Sequence, residues 1–228
     1  MRALFLFTAM FLVGMIAKSE EIFFPSTEGT VLVYKMFDKK NKETNMVKYT
    51  ITHLKTNGSN MDITYLCESM DPKENLLFKE EITIHKIGDK LYFDMSNFIN
   101  KAAFQKNGEI PAEVQITGNN MEIPSNPTPG DALPDANIVM AMKMGIITMK
   151  MSADVTNRKV ESIEDVTVTG GSFKCYKFTS DVNVSAMGFK TKTKSAEWYA
   201  KGIGVVKSES YDKNGSVQSH MELVEVKK

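Results

Sequence analysis

Apolar and polar residues alternate along most of the chain with a period of two, which is typical of half-buried β-strands. In residues 47–53, Tyr49 and Ile51 fall on one side of the predicted strand and threonines fall on the other. Residues 61–67 repeat the alternation. Asn57-Gly58, between these two segments, favours a tight hairpin because both residue types tolerate positive φ. The pattern therefore predicts two antiparallel neighbours.

The same alternation, interrupted by turns rich in glycine and asparagine, continues to the C-terminus. Short strands at regular spacing predict a mostly β protein, in which an antiparallel sheet forms a β-roll or an open barrel-like structure. One segment departs from the pattern. Residues 96–105 begin with a capping serine and place Phe98, Ile99 and Ala102 at helical spacing, which predicts one short helix.

Residues 123–134 contain four prolines and cannot pair within a central strand. This segment is either a linker between two halves or a loop packed over the sheet. We expect residues 20–228 to form a single all-β domain, with two β-layers as an alternative arrangement on either side of the Pro-rich segment.

The first 19 residues have the pattern of a cleaved signal peptide. Arg2 precedes an apolar run that is too short to span a membrane comfortably, and Ala17-Lys18-Ser19 places small residues at the positions that a signal peptidase reads. We therefore expect a periplasmic or secreted protein that is not an integral membrane protein after cleavage.

Charge and motifs narrow the function by exclusion. The chain has 28 basic and 28 acidic residues, so no basic excess points to nucleic acid. Its three histidines, His53, His85 and His220, fall on separate predicted strands, and no HExxH, GxSxG or phosphate-loop motif is present. We predict no catalytic residue, metal or cofactor, and we lean against an enzyme.

Methionines are the most unusual feature of the sequence. Met140, Met142 and Met144 share one side of a predicted strand, and Met149 and Met151 share a side of the next segment. If the chain turns between them, five thioethers could converge. They would then fill a core, line an apolar binding wall or, less favourably, bind Cu(I).

Trp198 is either a stacking platform for a ligand or a core anchor.

Two further groups have open alternatives. Cys67 and Cys175 could form a disulfide in an oxidising compartment, or both could be buried thiols. Lys190, Lys192 and Lys194 point one way on a predicted strand. They suit a solvated sheet face or a protected edge strand, with contact to anionic lipid or polysaccharide as the alternative.

The C-terminal half carries a series of local patterns in a characteristic order: Asn157-Arg158-Lys159-Val160, Glu164-Asp165-Val166-Thr167-Val168, Gly170-Gly171-Ser172-Phe173-Lys174-Cys175-Tyr176-Lys177 and Glu197-Trp198-Tyr199-Ala200-Lys201-Gly202-Ile203-Gly204-Val205-Val206-Lys207. This order resembles the uncharacterised secreted TapB-like proteins of Bacteroidetes, which are related to a domain-of-unknown-function family with a spiral β-roll fold. The resemblance is best over residues 150–228 and implies a β-roll of unknown role. It supplies no catalytic residues.

These observations favour a secreted envelope protein that acts as a non-catalytic binding or structural module. Its partner would be an apolar small molecule or another envelope protein, and the ligand-binding residues would be the five methionines and Trp198. A periplasmic hydrolase is the alternative, with dispersed carboxylates at Asp131, Asp135, Glu161, Glu164 and Asp165. A Met-rich Cu(I)-binding protein is a less favoured third hypothesis.

Overall fold

Antiparallel β-strands account for nearly all the regular structure in the computed structural model, which describes residues 21–98, 114–144, 147–186 and 188–228. The strands are β1 (Val31–Asp38), β2 (Glu43–Asn57), β3 (Asn60–Met70), β4 (Leu76–Ile87), β5 (Lys90–Asp94), β6 (Val114–Gly118), β7 (Asn120–Pro124), β8 (Ala136–Met144), β9 (Ile147–Val168), β10 (Gly171–Ala186), β11 (Phe189–Ala200), β12 (Gly204–Tyr211) and β13 (Val217–Lys227).

The strands form one sheet in the order β6-β8-β9-β10-β11-β12-β13-β1-β2-β3-β4-β5-β7. Most neighbours in the sheet are also neighbours in sequence. The main exception joins the two ends of the chain, because β1 pairs antiparallel with β13 in the middle of the sheet. Strands before and after the Pro-rich segment therefore belong to the same sheet. The predicted fold class is confirmed as an antiparallel, nearly closed, barrel-like sheet.

The connection between β6 and β7 explains why the sheet rolls up. These strands lie at opposite edges of the sheet, yet Asn119 alone separates them in sequence. The edges of a flat sheet of this size would be roughly 55 Å apart, since neighbouring strands lie about 4.8 Å apart. One residue cannot span that distance, so the two edges must meet.

Side chains fasten this corner to β8. The Asn119 side chain donates to the carbonyl oxygen of Asp135 at 2.9 Å and accepts from the backbone N–H of Asn137 at 2.6 Å. Gly118 lies so close to β8 that a Cβ there would be 2.3 Å from the Asn137 carbonyl oxygen. The close approach of β6 to β8 at this corner therefore requires glycine at position 118.

The rolled sheet buries β11 on both faces at its C-terminal end. Tyr199 lies in a first hydrophobic cluster, with Phe23 and Phe178, whereas its neighbour Trp198 lies in a second cluster, with Leu32 and Leu223. Adjacent residues of a strand point to opposite faces, so the sheet wraps around this part of β11. A third cluster contains Met95, Met121, Ala136 and Ile138.

A short segment before β1 fills the first cluster. Phe23 is fully buried, and its ring centroid lies 5.0 Å from that of Tyr176 and 5.9 Å from that of Phe178. The carbonyl oxygen of Ile22 accepts a hydrogen bond from the N–H of Gly202 at 2.7 Å. The start of the mature chain predicted by the signal-peptide pattern is thus part of the core. The predicted signal peptide itself lies outside the described residues.

Two other predictions concern the connections. Residues 95–98 form a single 3-10 turn, and the rest of the predicted helix lies outside the described residues. The Pro-rich segment is a loop packed over the sheet. The backbone N–H of Gly130 donates to the Val160 carbonyl oxygen, and Leu133 is buried in the first cluster.

Candidate ligand-binding surface

The β8–β9 hairpin places methionines directly opposite one another. Met140 pairs with Met151, and Met142 pairs with Met149. Directly opposed residues of antiparallel strands point to the same face, with Cβ atoms about 5 Å apart. These four methionines therefore form two adjacent rows on one face of the hairpin. The register continues to Met144 opposite Ile147, whose side chains lie outside the described set.

Apolar residues of three neighbouring strands extend these rows. On one side, Ile116 of β6 lies opposite Met140 and Val114 lies opposite Met142. On the other side, Ala186 of β10 lies opposite Met151, and Phe189 of β11 lies opposite Ala186. We call this surface the methionine face, and it consists of Val114, Ile116, Met140, Met142, Met149, Met151, Ala186 and Phe189.

Burial falls steadily across the methionine face. Met140 is buried beside the third hydrophobic cluster, while Met142, Met149 and Met151 are only half-buried. Phe189, at the far end of the longer row, is 80% exposed. The face therefore passes from packed core to open surface, which leaves apolar side chains available to a ligand.

The opposite face of the same strands is basic and polar. Strand alternation and the register place lysines of β8, β9 and β11 on this side, and all five are exposed. An open groove of about 620 Å³ follows it, lined in part by Asp154, Asn183 and Lys192. We call this side the lysine face, and its lysines are Lys143, Lys150, Lys190, Lys192 and Lys194.

Trp198 lies elsewhere, although it was predicted together with the methionines. It is nine residues from Phe189 on β11, about 30 Å along the strand, and points to the opposite face. Its indole N–H donates to Glu164 at 2.6 Å, and this bond holds the pKa of the Glu164 carboxyl below its usual range. The ammonium groups of Lys177 and Lys207 each lie 5.3 Å from the ring centroid. These contacts are those of a core anchor.

The two cysteines are free and buried in different hydrophobic clusters, which corresponds to the buried-thiol alternative. Burial raises the pKa of Cys67 to about 11 and that of Cys175 to about 12. Both thiols therefore stay protonated at neutral pH, which makes them poor nucleophiles.

The histidines stay apart, as their sequence positions suggest. His85 lies 2.7 Å from Asp62, His53 lies 3.5 Å from Glu28, and the ring of His220 stacks on Phe37. Within the four described ranges, no three side chains among His, Cys, Asp and Glu are grouped as metal ligands would be.

The carboxylates of the hydrolase hypothesis have separate partners. Asp131 accepts a hydrogen bond from the N–H of Thr128, and Glu161 pairs with Lys177 at 3.1 Å. Glu164 accepts hydrogen bonds from Trp198 and Ser162. The remaining two, Asp135 and Asp165, are exposed. No two of the five are brought together in a shared cleft by a contact among the described residues.

Sequence reasoning missed a buried polar group beside the first cluster. The guanidinium of Arg158 donates to the carbonyl oxygens of Pro134 at 2.6 Å and Glu122 at 2.9 Å. It thereby links β9 to the β7 edge and to the Pro-rich loop. Nearby, the Tyr199 hydroxyl donates to Glu197 at 3.2 Å, and burial raises the pKa of the Glu197 carboxyl.

This polar group lines a small cavity of about 20 Å³, which has room for one water molecule. The Thr179 hydroxyl, also at this cavity, is buried without a hydrogen-bond partner. One local signal could have pointed to the inward position of Arg158. Asn157, which has a φ of 53°, breaks the period-two pattern of β9 and brings Arg158 inward. The group closes the sheet and offers no space for a substrate.

Comparison with known proteins agrees with this fold. A family model described as DUF3108-like matches residues 27–223. The chain belongs to the DUF3108-like family. This membership confirms the broader part of the resemblance found in the sequence. No protein of curated function matches the chain.

Two solved structures share the architecture of this DUF3108-like chain. One, from Bacteroides fragilis, is described as an exported protein with a YmcC-like fold. It is 24% identical, with 91% of this chain and 100% of that chain covered and a TM-score of 0.74. The other, from Parabacteroides distasonis, is described as a lipoprotein, with 24% identity, coverage of 91% and 99%, and the same TM-score. At this identity, the likeness establishes the fold.

Proposed function

We propose that this DUF3108-like protein is an exported envelope protein that binds an apolar molecule on the methionine face and catalyses no reaction. The observation that supports this most is the register of β8 and β9, which opposes Met140 to Met151 and Met142 to Met149. Three of these thioethers are only half-buried, and the face continues to the exposed Phe189, so apolar surface remains open on this face.

The chemistry of methionine suits such a role. Its side chain is unbranched and polarisable, so it adapts to irregular apolar shapes and is common on surfaces that accept varied ligands. Phe189 adds a large ring at the open end of the face. The half-buried Met142, Met149 and Met151 would contact the ligand, and the buried Met140 would support them beside the third cluster. Exposed apolar surface of this kind often marks a binding site.

Export is supported by two independent observations. The first 19 residues have the signal-peptide pattern, and the two structural relatives are described as an exported protein and a lipoprotein. A periplasmic or secreted location is the proposal that follows. The narrower assignment to the TapB-like proteins of Bacteroidetes rests on the order of local motifs in residues 150–228. In the parts of the chain that the structure covers, no helix has the length and apolar character needed to cross a membrane.

The test is a titration of the purified protein with N-phenyl-1-naphthylamine in lipid-free buffer, followed by fluorescence. The variant M142Q/M149Q should weaken probe binding at least tenfold, because burying one apolar side chain contributes about 1.5–3 kcal/mol. The matched control is M36Q/M221Q. Met36 and Met221 also oppose each other across two strands, but far from this face in the sheet order.

Equal loss of probe binding in the two double variants would overturn the proposal, and so would an absence of saturable probe binding in the unmodified protein.

The same variants address the copper hypothesis, which the paired thioethers keep open. Cu(I) binding that is lost in M142Q/M149Q, with probe binding unchanged, would favour copper over an apolar ligand.

A further inference from the structure

The two hairpins at the methionine end of the sheet have an unusual charge composition. Residues 136–153 and 182–196 contain five lysines and no acidic residue, in a chain with equal numbers of basic and acidic residues. None of these lysines forms an ion pair or a side-chain hydrogen bond within the described ranges. Asp181 lies opposite Lys194, and Asp154 lines the same groove as Lys192. The excess of positive charge is therefore concentrated at the hairpin ends, at Lys143, Lys150 and Lys190.

Strand pairing makes these two hairpins one surface. The last residue of β10, Ala186, pairs with Met151, so the end of the β10–β11 hairpin lies beside β9. The first four residues of β9 continue beyond this pairing, which extends the β8–β9 hairpin by about 14 Å at 3.4 Å per residue. The sheet therefore has a projecting end, with apolar residues on one face and lysines on the other.

We propose that this end of the sheet docks on an anionic lipid surface. Met142, Met149 and Phe189 enter the boundary between headgroups and acyl chains, and Lys143, Lys150 and Lys190 reach the lipid phosphates from the other face. Lysine suits this position because its stem lies along apolar surface while its ammonium stays in the polar layer. The inference rests on the proposed function, since it uses the same methionine face and names lipid as the source of the apolar ligand.

A second exposed apolar site helps to identify the occupant. Leu76 and Leu77 are 57% and 58% exposed at the start of β4, next to the acidic turn residues Asp71 and Glu74. The one lysine of that turn, Lys73, lies between these two acidic residues, so the site has no excess of positive charge to attract lipid phosphates. At the methionine end, apolar and cationic groups occur together, which is the combination that binds anionic membranes. An acidic polysaccharide would engage the lysines but would leave the methionines and Phe189 exposed to water.

The experiment measures binding of the purified protein to vesicles by cosedimentation. Vesicles of phosphatidylcholine alone are compared with vesicles that contain 30 mol% phosphatidylglycerol, at 0.1 M and 0.5 M NaCl. We expect binding that requires phosphatidylglycerol and weakens in high salt. K143Q/K150Q should weaken it more than tenfold, because each lysine near such a surface contributes about fivefold. F189S should weaken it about tenfold.

Matched variants remove the same charge or apolar area elsewhere. K39Q/K40Q changes two exposed lysines in the β1–β2 turn, and L76S removes an exposed apolar side chain. Both should bind vesicles as the unmodified protein does. Equal loss in K39Q/K40Q and K143Q/K150Q would overturn the proposal, as would binding that is independent of phosphatidylglycerol. Binding to polygalacturonate in place of vesicles would also overturn it.

The two proposals fail in distinguishable ways. K143Q/K150Q should keep its affinity for naphthylamine in lipid-free buffer, because its lysines lie on the other face. Vesicle binding that depends on the lysines, in a protein without saturable naphthylamine binding, would overturn the proposed function and leave membrane docking in place. Naphthylamine binding without any vesicle binding would overturn docking alone.

Discussion

The two ends of β11 are built from similar residues but lie in opposite environments. At the C-terminal end, Trp198 and Tyr199 point to different faces, and hydrophobic clusters cover both. At the N-terminal end, Phe189 and Lys190 also point to different faces, and both are exposed. The same strand therefore runs from an enclosed part of the described structure to an open part.

If the methionine face binds a ligand as proposed, the fold separates stability from binding. The closed end contains the features that hold the rolled sheet together, including Phe23, the corner at Gly118 and the Arg158 guanidinium. The open end contains the exposed Phe189 and lysines that form no ion pair among the described residues. Substitutions at the closed end should therefore change the free energy of unfolding, whereas substitutions at the open end should change binding.

The largest effect on stability is expected at the closed end, for Phe23→Ala. Phe23 is fully buried and packs edge-on against Tyr176 and Phe178. Replacing a buried phenylalanine by alanine costs about 3–5 kcal/mol, from lost burial and from the cavity left behind. Urea denaturation followed by tryptophan fluorescence would measure the change, since Trp198 is the only tryptophan.

The matched substitution at the open end is Phe189→Ala, which should change the free energy of unfolding by less than about 0.5 kcal/mol. Equal losses for the two phenylalanines would contradict the separation between a structural end and a binding end. A loss well below the expected range for F23A would show that the segment before β1 is dispensable for the core.

A smaller loss is expected at the corner where the sheet edges meet. In Gly118→Ala, the new Cβ would lie 2.3 Å from the backbone oxygen of Asn137, so β8 must move away. Crowding of this kind costs about 1–3 kcal/mol. Hydrogen exchange of the β6 and β8 amides should speed up more than that of β2 and β3.

Gly58→Ala is the control for the corner. Gly58 lies in the β2–β3 turn, where a Cβ would meet nothing within 4 Å, and its φ of +62° alone penalises alanine. Its cost should be about 1 kcal/mol and should affect β2 and β3. The interpretation of the corner fails if G118A and G58A give the same exchange pattern.

The sequence predicts hairpin pairing between neighbouring strands, in β2–β3 and at the methionine end, but not contacts between segments that are distant in sequence. The Asn57-Gly58 turn and the strands on either side of it could be read directly, because hairpin pairing depends on neighbouring residues. The paired methionines could be anticipated for the same reason, since β8 and β9 form a hairpin. Trp198 could not be placed, because its face depends on how the whole sheet rolls.

Closure of the sheet has no comparable local signal. Arg158 donates to carbonyl oxygens of Glu122 and Pro134, which lie 36 and 24 residues away in sequence. Phe23 packs against residues of β10 across most of the chain. Period-two alternation fixes which residues share a face of one strand, but it does not contain the curvature that brings two distant faces together.

The smallest effects concern two glutamates on either side of β11, whose pKa values shift in opposite directions. Burial raises the pKa of Glu197 above the usual value for glutamate. Its folded form therefore binds more protons than the unfolded chain, and the free energy of unfolding falls as pH rises from the usual glutamate pKa to the raised one. Glu164 behaves in the reverse way, because the Trp198 N–H lowers its pKa. Its contribution is present above the usual pKa and is lost as pH falls through the lowered value.

Glu197→Gln should therefore stabilise the protein at pH 8 relative to the unmodified chain and have little effect at pH 4, because glutamine still accepts the Tyr199 hydrogen bond. Glu164→Gln should destabilise it at pH 8, and this difference should shrink as pH falls below the usual glutamate pKa. Both changes should be smaller than that of G118A, and urea denaturation of the two variants at pH 4, 6 and 8 would measure them. Parallel pH profiles for the two variants would show that the two faces of β11 do not differ at this end in burial and hydrogen bonding. That result would contradict the placement of Trp198 and Tyr199 in separate clusters.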